Sequence, residues 1–359
     1  MSSPAAATPA SGALRRSPSR WGLWGAFAVI YLVWGSTFLG IRVAVETLPP
    51  LSMAAIRFLV SGGILLLVSC RVRPRPTLRH WGNAAVVGAL FFLGNHGLVS
   101  TAARFIPSSL ACLIVATEVP IIALLSSALL PGQPLTRSGL IGAGLGLAGV
   151  VCLFSGSGAG AAAASVPACL AILGASLSWS MGAVLSQRLQ FPPDPILRAA
   201  MQMIWGGALL SFASVLRGEP AALQAAAFSS RSVIALLYLI AFGSVLAFAC
   251  YSYLLEHVRA DTVATHVFVN PLVAVAVGAW LGGERLRPAH LVSGLFILAS
   301  VGVITLGQRR RGDPHRIVRS AADLQRPIGC DSRCVAPARP RPSIPDPGSP
   351  LSESKGCLP

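Results

Sequence analysis

Charge is what this 359-residue sequence has least of. Only 11% of its residues are Asp, Glu, Lys or Arg, where a soluble domain carries about 25%, so a freely soluble globular fold is excluded. Acidic residues are the scarcer kind, 12 against 28 basic ones, and among them only Glu118 lies deep inside an apolar stretch. Lysine is nearly missing: 27 of the basic residues are arginine and the other is Lys355. Alternating apolar and polar strands are lacking as well, which argues against a membrane β-barrel. No GxGxxG loop, Walker motif, HExxH or hydrolase triad stands in a usable context. Nucleophile, base and metal ligands nowhere converge, so no enzyme, no catalytic residue, no cofactor and no metal is expected, and uphill work must draw on an ion gradient rather than ATP. The eight cysteines make no framework. Cys70, Cys112, Cys152, Cys169 and Cys250 read as small hydrophobes. Cys330, Cys334 and Cys357 sit in a polar tail without a nearby His, a weak metal signal, and no disulfide is needed. The net charge of +16 sits in loops and tails, leaving no basic fold for nucleic acid.

What is present is length of apolar run. Ten stretches stand out: 22–45, 52–70, 82–102, 107–130, 139–155, 166–187, 197–216, 232–254, 261–282 and 288–307. Most approach the ~20 residues that cross a bilayer. The first starts too late and runs too long for a cleaved signal peptide, and no A-x-A site follows it. The expected class is therefore an all-α integral membrane protein of ten helices, with the lipid bilayer as its solvent. Arginines near the span ends fall 14 on one side and 5 on the other. The positive-inside rule then places both termini in the cytoplasm. Abundant Arg, Ala, Pro and Gly with almost no Lys suggest a GC-rich bacterial genome, hence an inner membrane.

The sequence also repeats itself. A shift of 145 superposes Trp34 on Trp179, Pro50 on Pro195, Arg57 on Gln202 and Gly62 on Gly207; a shift of about 152 superposes Glu118 on Asn270 and Gly142 on Gly294. Fixed-period similarity marks a repeated structural unit. Five spans per unit is odd, so the second copy enters from the opposite side and the repeat is inverted, the geometry that underlies alternating access. The expected organisation is a flexible cytoplasmic arm over 1–20, repeats over 21–160 and 161–307, and a disordered cytoplasmic tail over 308–359.

Polar residues inside the apolar runs each need a reason. Glu118, about 11 residues or ~16 Å from either end of its run, suits loading and releasing a proton; the alternative is a carboxyl neutralised by a neighbouring Arg or held protonated as a hydrogen-bond donor. Arg42 and Arg57 are its available partners, or they snorkel, the favoured reading for Arg42. Asn270, before Pro271, fits either a polar substrate group or an interhelical hydrogen bond. His266 shares its helix face. Asn95 and His96 offer the same two choices. Trp34 and Trp179 are matched and central, where Trp usually marks interfaces; they wall an apolar cavity or pack between helices. Ser36, Thr37 and Ser180 follow them and either meet substrate or bond their own helix. Gly142-x-x-x-Gly146 permits close helix packing, with a homodimer contact as the weaker option.

YLVWGSTFLGIRVAVETLPPLSMAAIRFLVSGGILL, residues 31–66, resembles the opening of EamA-type permeases of the drug/metabolite transporter superfamily. The resemblance extends over about 21–307, through ATE followed by Pro in span four, GSVLAF in span eight, VNPLVAV, and the GGERL link before the last span. It implies two inverted five-helix repeats around a central cavity and export of small molecules, amino acids or related metabolites or amphipathic drugs, in exchange for protons. Carried onto this chain, the cavity residues are Trp34, Thr37, Arg57, Asn95, Trp179 and Asn270, joined by His266 on the same face, with Glu118 for proton coupling. The family commonly places Glu directly before Pro; here Val119 intervenes, turning Glu118 by about 100° relative to Pro120. A facilitated or exchange transporter without protons uses the same cavity. A membrane-embedded sensory or binding protein that signals through its tail is the alternative of a different class.

Overall fold

The computed structural model describes residues 19–72, 75–131, 134–155, 162–225, 228–258, 263, 265–284 and 288–310. The arm over 1–18, the tail beyond 310, and Arg73, Arg259, Arg285 and Arg287 of the charge count lie outside the described residues.

Every element among the described residues is helical. In order they are α1 (Arg20–Ala44), α2 (Pro50–Val68), α3 (Leu78–Gly88), π1 (Ala89–Gly97), α4 (Leu98–Ala102), α5 (Ser108–Val115), α6 (Glu118–Leu129), α7 (Arg137–Ser155), α8 (Ala162–Ser186), α9 (Pro195–Leu216), α10 (Glu219–Ala225), α11 (Ser230–Tyr238), π2 (Leu239–Leu246), α12 (Ala247–His257), α13 (His266–Trp280) and α14 (Pro288–Arg310). Seven helical stretches are long and apolar enough to cross a membrane. Three shorter apolar helices, Arg137–Cys152, Val269–Trp280 and Leu291–Gly307, occupy the stretches expected as spans five, nine and ten. Large apolar side chains such as Leu67, Leu147, Phe212 and Leu295 point outward, as lipid contact requires.

Local chemistry sets the helix starts. Pro50 and Pro195 open α2 and α9, where a missing N–H costs nothing. Asp194 accepts from Leu197 N at 2.7 Å, an N-cap that satisfies an otherwise orphan donor. The α2 start has no cap of its own; the Glu219 carboxylate takes its Leu51 and Ser52 N–H groups at 3.3 and 2.7 Å.

Two spans change their winding. The stretch from α3 to α4 passes through π1, and the stretch from α11 to α12 through π2; such wide turns cluster at functional sites. Span four is interrupted. Thr117 N and Oγ1 both bond Ile114 O, at 3.0 and 2.7 Å, closing a tight turn that ends α5. Glu118 then opens α6. The break thus falls just before Glu118, and Pro120, in the first turn of α6, removes no hydrogen bond that the helix needs.

Small residues set the packing. At Gly62 an added Cβ would sit 3.1 Å from Ile204 N, and at Gly207 it would sit 2.9 Å from Leu59 N. Shifting the first pair by 145 yields the second with the helices exchanged, so the α2–α9 crossing is self-complementary. Ser52 and Ser214 hydroxyls meet across it at 2.7 Å. Helices α7 and α14 pack in the same manner: Ser300 and Ser293 hydroxyls donate to Gly142 O and Gly149 O at 2.6 and 2.7 Å. Gly142 faces Ile304, and Gly146 faces Pro120 and Ser300. The glycine stripe weighed as a dimer contact is therefore covered by the chain's own helices.

The sharpest test of this packing is Gly88 in α3, where a Cβ would lie 2.5 Å from the Gln202 carbonyl oxygen of α9. Gly88→Ala is expected to destabilise the protein by about 1–3 kcal/mol. Gly63→Ala, with nothing within 4 Å, is expected to be neutral or slightly stabilising. Thermal melts of the two variants in detergent, read by monodisperse recovery, check the difference.

Candidate functional site

The interior polar groups gather at the irregular backbone. Asn95, on π1, donates to Glu118 Oε1 at 3.3 Å and to Ala175 O at 3.0 Å. Ser180 donates to the Glu118 carbonyl at 3.2 Å and to Ser176 O at 2.7 Å. Three spans thus converge on the break at Glu118. Its carboxyl makes no ion pair among the described residues; an amide holds it.

Neither arginine expected as its partner reaches it. Arg57 is 4% exposed and donates from Nε to Ser244 Oγ at 3.0 Å. Ser244 is on π2. Gly243 beside it leaves the space that Thr37 and Arg57 use: an added Cβ would meet Thr37 Cγ2 at 2.9 Å and Arg57 Nη2 at 3.4 Å. Each π segment therefore delivers one polar side chain to a charged residue, Asn95 to Glu118 and Ser244 to Arg57. Thr37 spends its own hydroxyl on Trp34 O at 2.6 Å.

The two tryptophans stand in separate aromatic groups. Trp34 packs against Phe248, Tyr251 and His266, with ring centroids 5.8, 5.3 and 5.0 Å away. Trp179 stacks on Phe91 at 4.2 Å, with His96 edge-on at 6.3 Å. His96 also lies 4.7 Å from Phe58, the neighbour of Arg57. His266 Nδ1 pairs with Val263 O at 3.0 Å. Near these rings, His96 Nδ1 and Asn270 Oδ1 are buried without a hydrogen bond. Asn270 also shows the repeat in its contacts. Its carbonyl lies 3.0 Å from where a Gly35 Cβ would be, and the repeat-mates of 270 and 35 are Glu118 and Ser180, which hydrogen-bond.

At the end of the bundle where α1 finishes, a second polar cluster ties the spans together. Arg42 pairs with Glu284 at 2.5 Å rather than snorkelling, because the link before α14 brings a carboxylate over the end of α1. The same carboxylate accepts from Ser108 N at 2.7 Å and from Ser109 N and Oγ at 3.0 and 2.5 Å, capping α5. Arg104 donates to the Val45 and Leu48 carbonyls at 3.1 and 3.0 Å, and Glu46 lies 4.0 Å from Arg231. Burial alone would raise the Glu284 carboxyl, but the hydrogen bonds from Ser109 and Ser108 outweigh it and hold it below the ordinary 4.5. Residue reading missed Glu284 and Ser244 as partners. Both stood in the quoted GGERL and GSVLAF motifs, which carried the signal without the contact.

Among the described residues, apolar helical spans with irregular mid-span backbone and buried polar groups at those irregularities fit a membrane transporter. The sequence matches the EamA-like transporter family twice, over residues 20–155 and 166–306, and the chain belongs to that family. It is 36% identical to the "Uncharacterized inner membrane transporter YedA" of Escherichia coli K12, over 80% of this chain and 91% of that one. It is 26% identical to a "Probable amino-acid metabolite efflux pump" of Salmonella typhimurium, over 79% and 94%. A crystal structure at 24% identity aligns with a TM-score of 0.56 over 82% of this chain and 99% of that one, which shows a shared fold.

The Glu284 tie is open to a direct test. Its pKa is depressed in the folded state, so its stabilisation is present above about pH 4.5 and is lost as the pH falls through the depressed value. Glu284→Gln is expected to cost about 2 kcal/mol near neutral pH, with the deficit closing as the pH falls through the depressed value. Melting temperatures of wild type and variant between pH 3.5 and 7.5 check both the size and the sign.

Proposed function

We propose that this transporter is a secondary active exporter of small metabolites or amphipathic drugs, coupled to protons and working by alternating access between two inverted five-helix repeats. The carrying observation is the seat of Glu118. A carboxyl on a helix break, held by the Asn95 amide and free of any ion pair among the described residues, is arranged to take up and give back a proton rather than to stay permanently charged. A fixed salt bridge would resist that exchange. The repeat supports the rest. The self-complementary α2–α9 crossing and the shared contacts of residues 35/270 and 180/118 fit two halves related by a two-fold axis, which gives two near-equivalent poses.

In this reading Trp34, Thr37, Arg57, Asn95, Trp179, His266 and Asn270 line the substrate path. The arginine distribution supports cytoplasmic termini, and in that orientation the Arg42–Glu284 cluster closes the outer end. The inner membrane and the outward direction of transport are supported by the relatives' names, an inner membrane transporter and an efflux pump.

Inverted membrane vesicles carrying an imposed proton gradient test the coupling. Amino acids, aromatic metabolites and lipophilic cations are added in turn, with lumenal pH and labelled substrate followed together. One class is expected to dissipate the gradient with wild type, and Glu118→Gln to reduce that response by about tenfold or more, a loss of ~1.4 kcal/mol at the rate-limiting step. Folded wild type that moves label without any pH response would instead establish facilitated transport, with Glu118 as a binding or structural residue.

A further inference from the structure

Arg198 has a role that packing does not explain. It lies in the first turn of α9, 2% exposed, and none of its three guanidinium nitrogens makes a hydrogen bond. Asp194, one turn earlier, spends its carboxylate on Leu197 N at 2.7 Å and acts on Arg198 only through space, as does Tyr251. The Phe191 ring lies 5.3 Å from the guanidinium carbon. A ring satisfies the face of a guanidinium and leaves the N–H donors in its plane free. A buried cation so placed costs several kcal/mol unless something complements it. The repeat supplies the comparison: the mate of Arg198 is Met53, 1% exposed, so an apolar side chain fills the equivalent place in the first copy.

Arg198 and Arg57 stand on the two helices of the self-complementary crossing. Gly62 faces Ile204 and Gly207 faces Leu59, so α2 and α9 run antiparallel with Arg57 level with residue 209, roughly 16 Å along the axis from Arg198. Ser244, Phe248 and Tyr251 recur on one face of the π2–α12 stretch. Ser244 holds Arg57, Tyr251 acts on Arg198 through space, and Trp34 packs on Phe248 and Tyr251. The order is cation, aromatic wall, cation.

We propose that Arg198, backed by Phe191, is a docking site for the carboxylate of an organic anion with an aromatic or apolar body, and that Arg57 receives the same group deeper in the bundle. A carboxylate matches the guanidinium fork in two parallel hydrogen bonds, and the aromatic wall accepts the apolar body. The proposal rests on the transport reading above and adds the substrate's charge. A lipid headgroup phosphate is also an oxyanion, but a site closed by Phe191 and 2% exposed suits a small solute better than a two-chain lipid.

Binding is measured by calorimetry on the full chain in phosphatidylcholine nanodiscs, with 3-phenylpropionate as probe and 3-phenylpropan-1-ol as its neutral match. Wild type is expected to prefer the anion at least about tenfold, and Arg198→Gln to weaken the anion by about 10- to 100-fold, the worth of a charged hydrogen bond, while leaving the alcohol unchanged. Arg198→Lys should recover part of the loss. Equal binding of the two probes by wild type overturns the proposal. So does full anion affinity in a folded Arg198→Met, which copies Met53 and guards against a Gln variant that fails to fold. Arg198-dependent binding of phosphatidylglycerol without any binding of 3-phenylpropionate overturns it as well, in favour of a lipid site. Arg198-dependent binding of 3-phenylpropionate with no flux in vesicles supports the docking site while removing the transport reading.

Discussion

Hydrocarbon cannot hydrate a charge, and the interior of this protein is arranged around that constraint. Each ionisable group inside the spans needs a partner from the protein, because water is not there to serve. Regular helices cannot supply many, since their backbone groups are already bonded to one another. The chain answers by departing from the α-helix where partners are needed. The π1 winding carries Asn95 to Glu118, the π2 winding carries Ser244 to Arg57, and the break before α6 sets Glu118 at a helix start. Close packing is the other half of the answer. Glycines at 62, 88 and 207 bring the backbones of α2 and α3 against α9, and Gly142 and Gly149 bring α7 and α14 near enough for serine hydroxyls to reach carbonyls.

The helical class was legible because it depends on composition and run length. Little charge and long apolar stretches leave no other architecture, and the described helices fall within a few residues of the stretches read from the sequence. The polar residues that meet at Glu118 were legible as residues, since Asn95, Glu118 and Ser180 are conspicuous in apolar runs. That they meet was not. The contact depends on one wider turn in π1, and no periodic signal distinguishes nine π residues from nine α residues. Arg42 shows the complementary failure. Its partner Glu284 lies 242 positions away in sequence, and proximity along the chain says nothing about which carboxylate folds over the end of α1. Arg198 was counted only as a topology charge, because an arginine at a span end ordinarily reaches water; its burial depends on Phe191 and the neighbouring spans, which only the folded chain brings together.

Glu118 and Asn270 mark where the two copies have parted. They occupy equivalent places and equivalent packing, yet one carries an ionisable group and the other a neutral amide. Arg57 and Gln202 part in the same way, as do Met53 and Arg198. The backbone keeps its near-symmetry through glycine, serine and proline, residues that serve packing and helix starts. The differences fall on long polar side chains, so the chemistry of the two halves has become unlike while their geometry has stayed alike.

The tie between Arg42 and Glu284 bears on how such a molecule rests. If the two halves exchange poses as proposed, the two-fold relation between them gives two poses of near-equal energy, which left alone would be about equally populated. Here one end is fastened by an ion pair, a capped helix and a pair of arginine-bound carbonyls. A difference of only about 1.4 kcal/mol is a tenfold preference in population. On the proposed alternating-access reading, the idle protein is weighted toward the pose shut at that end, and anything that opens it must supply the difference.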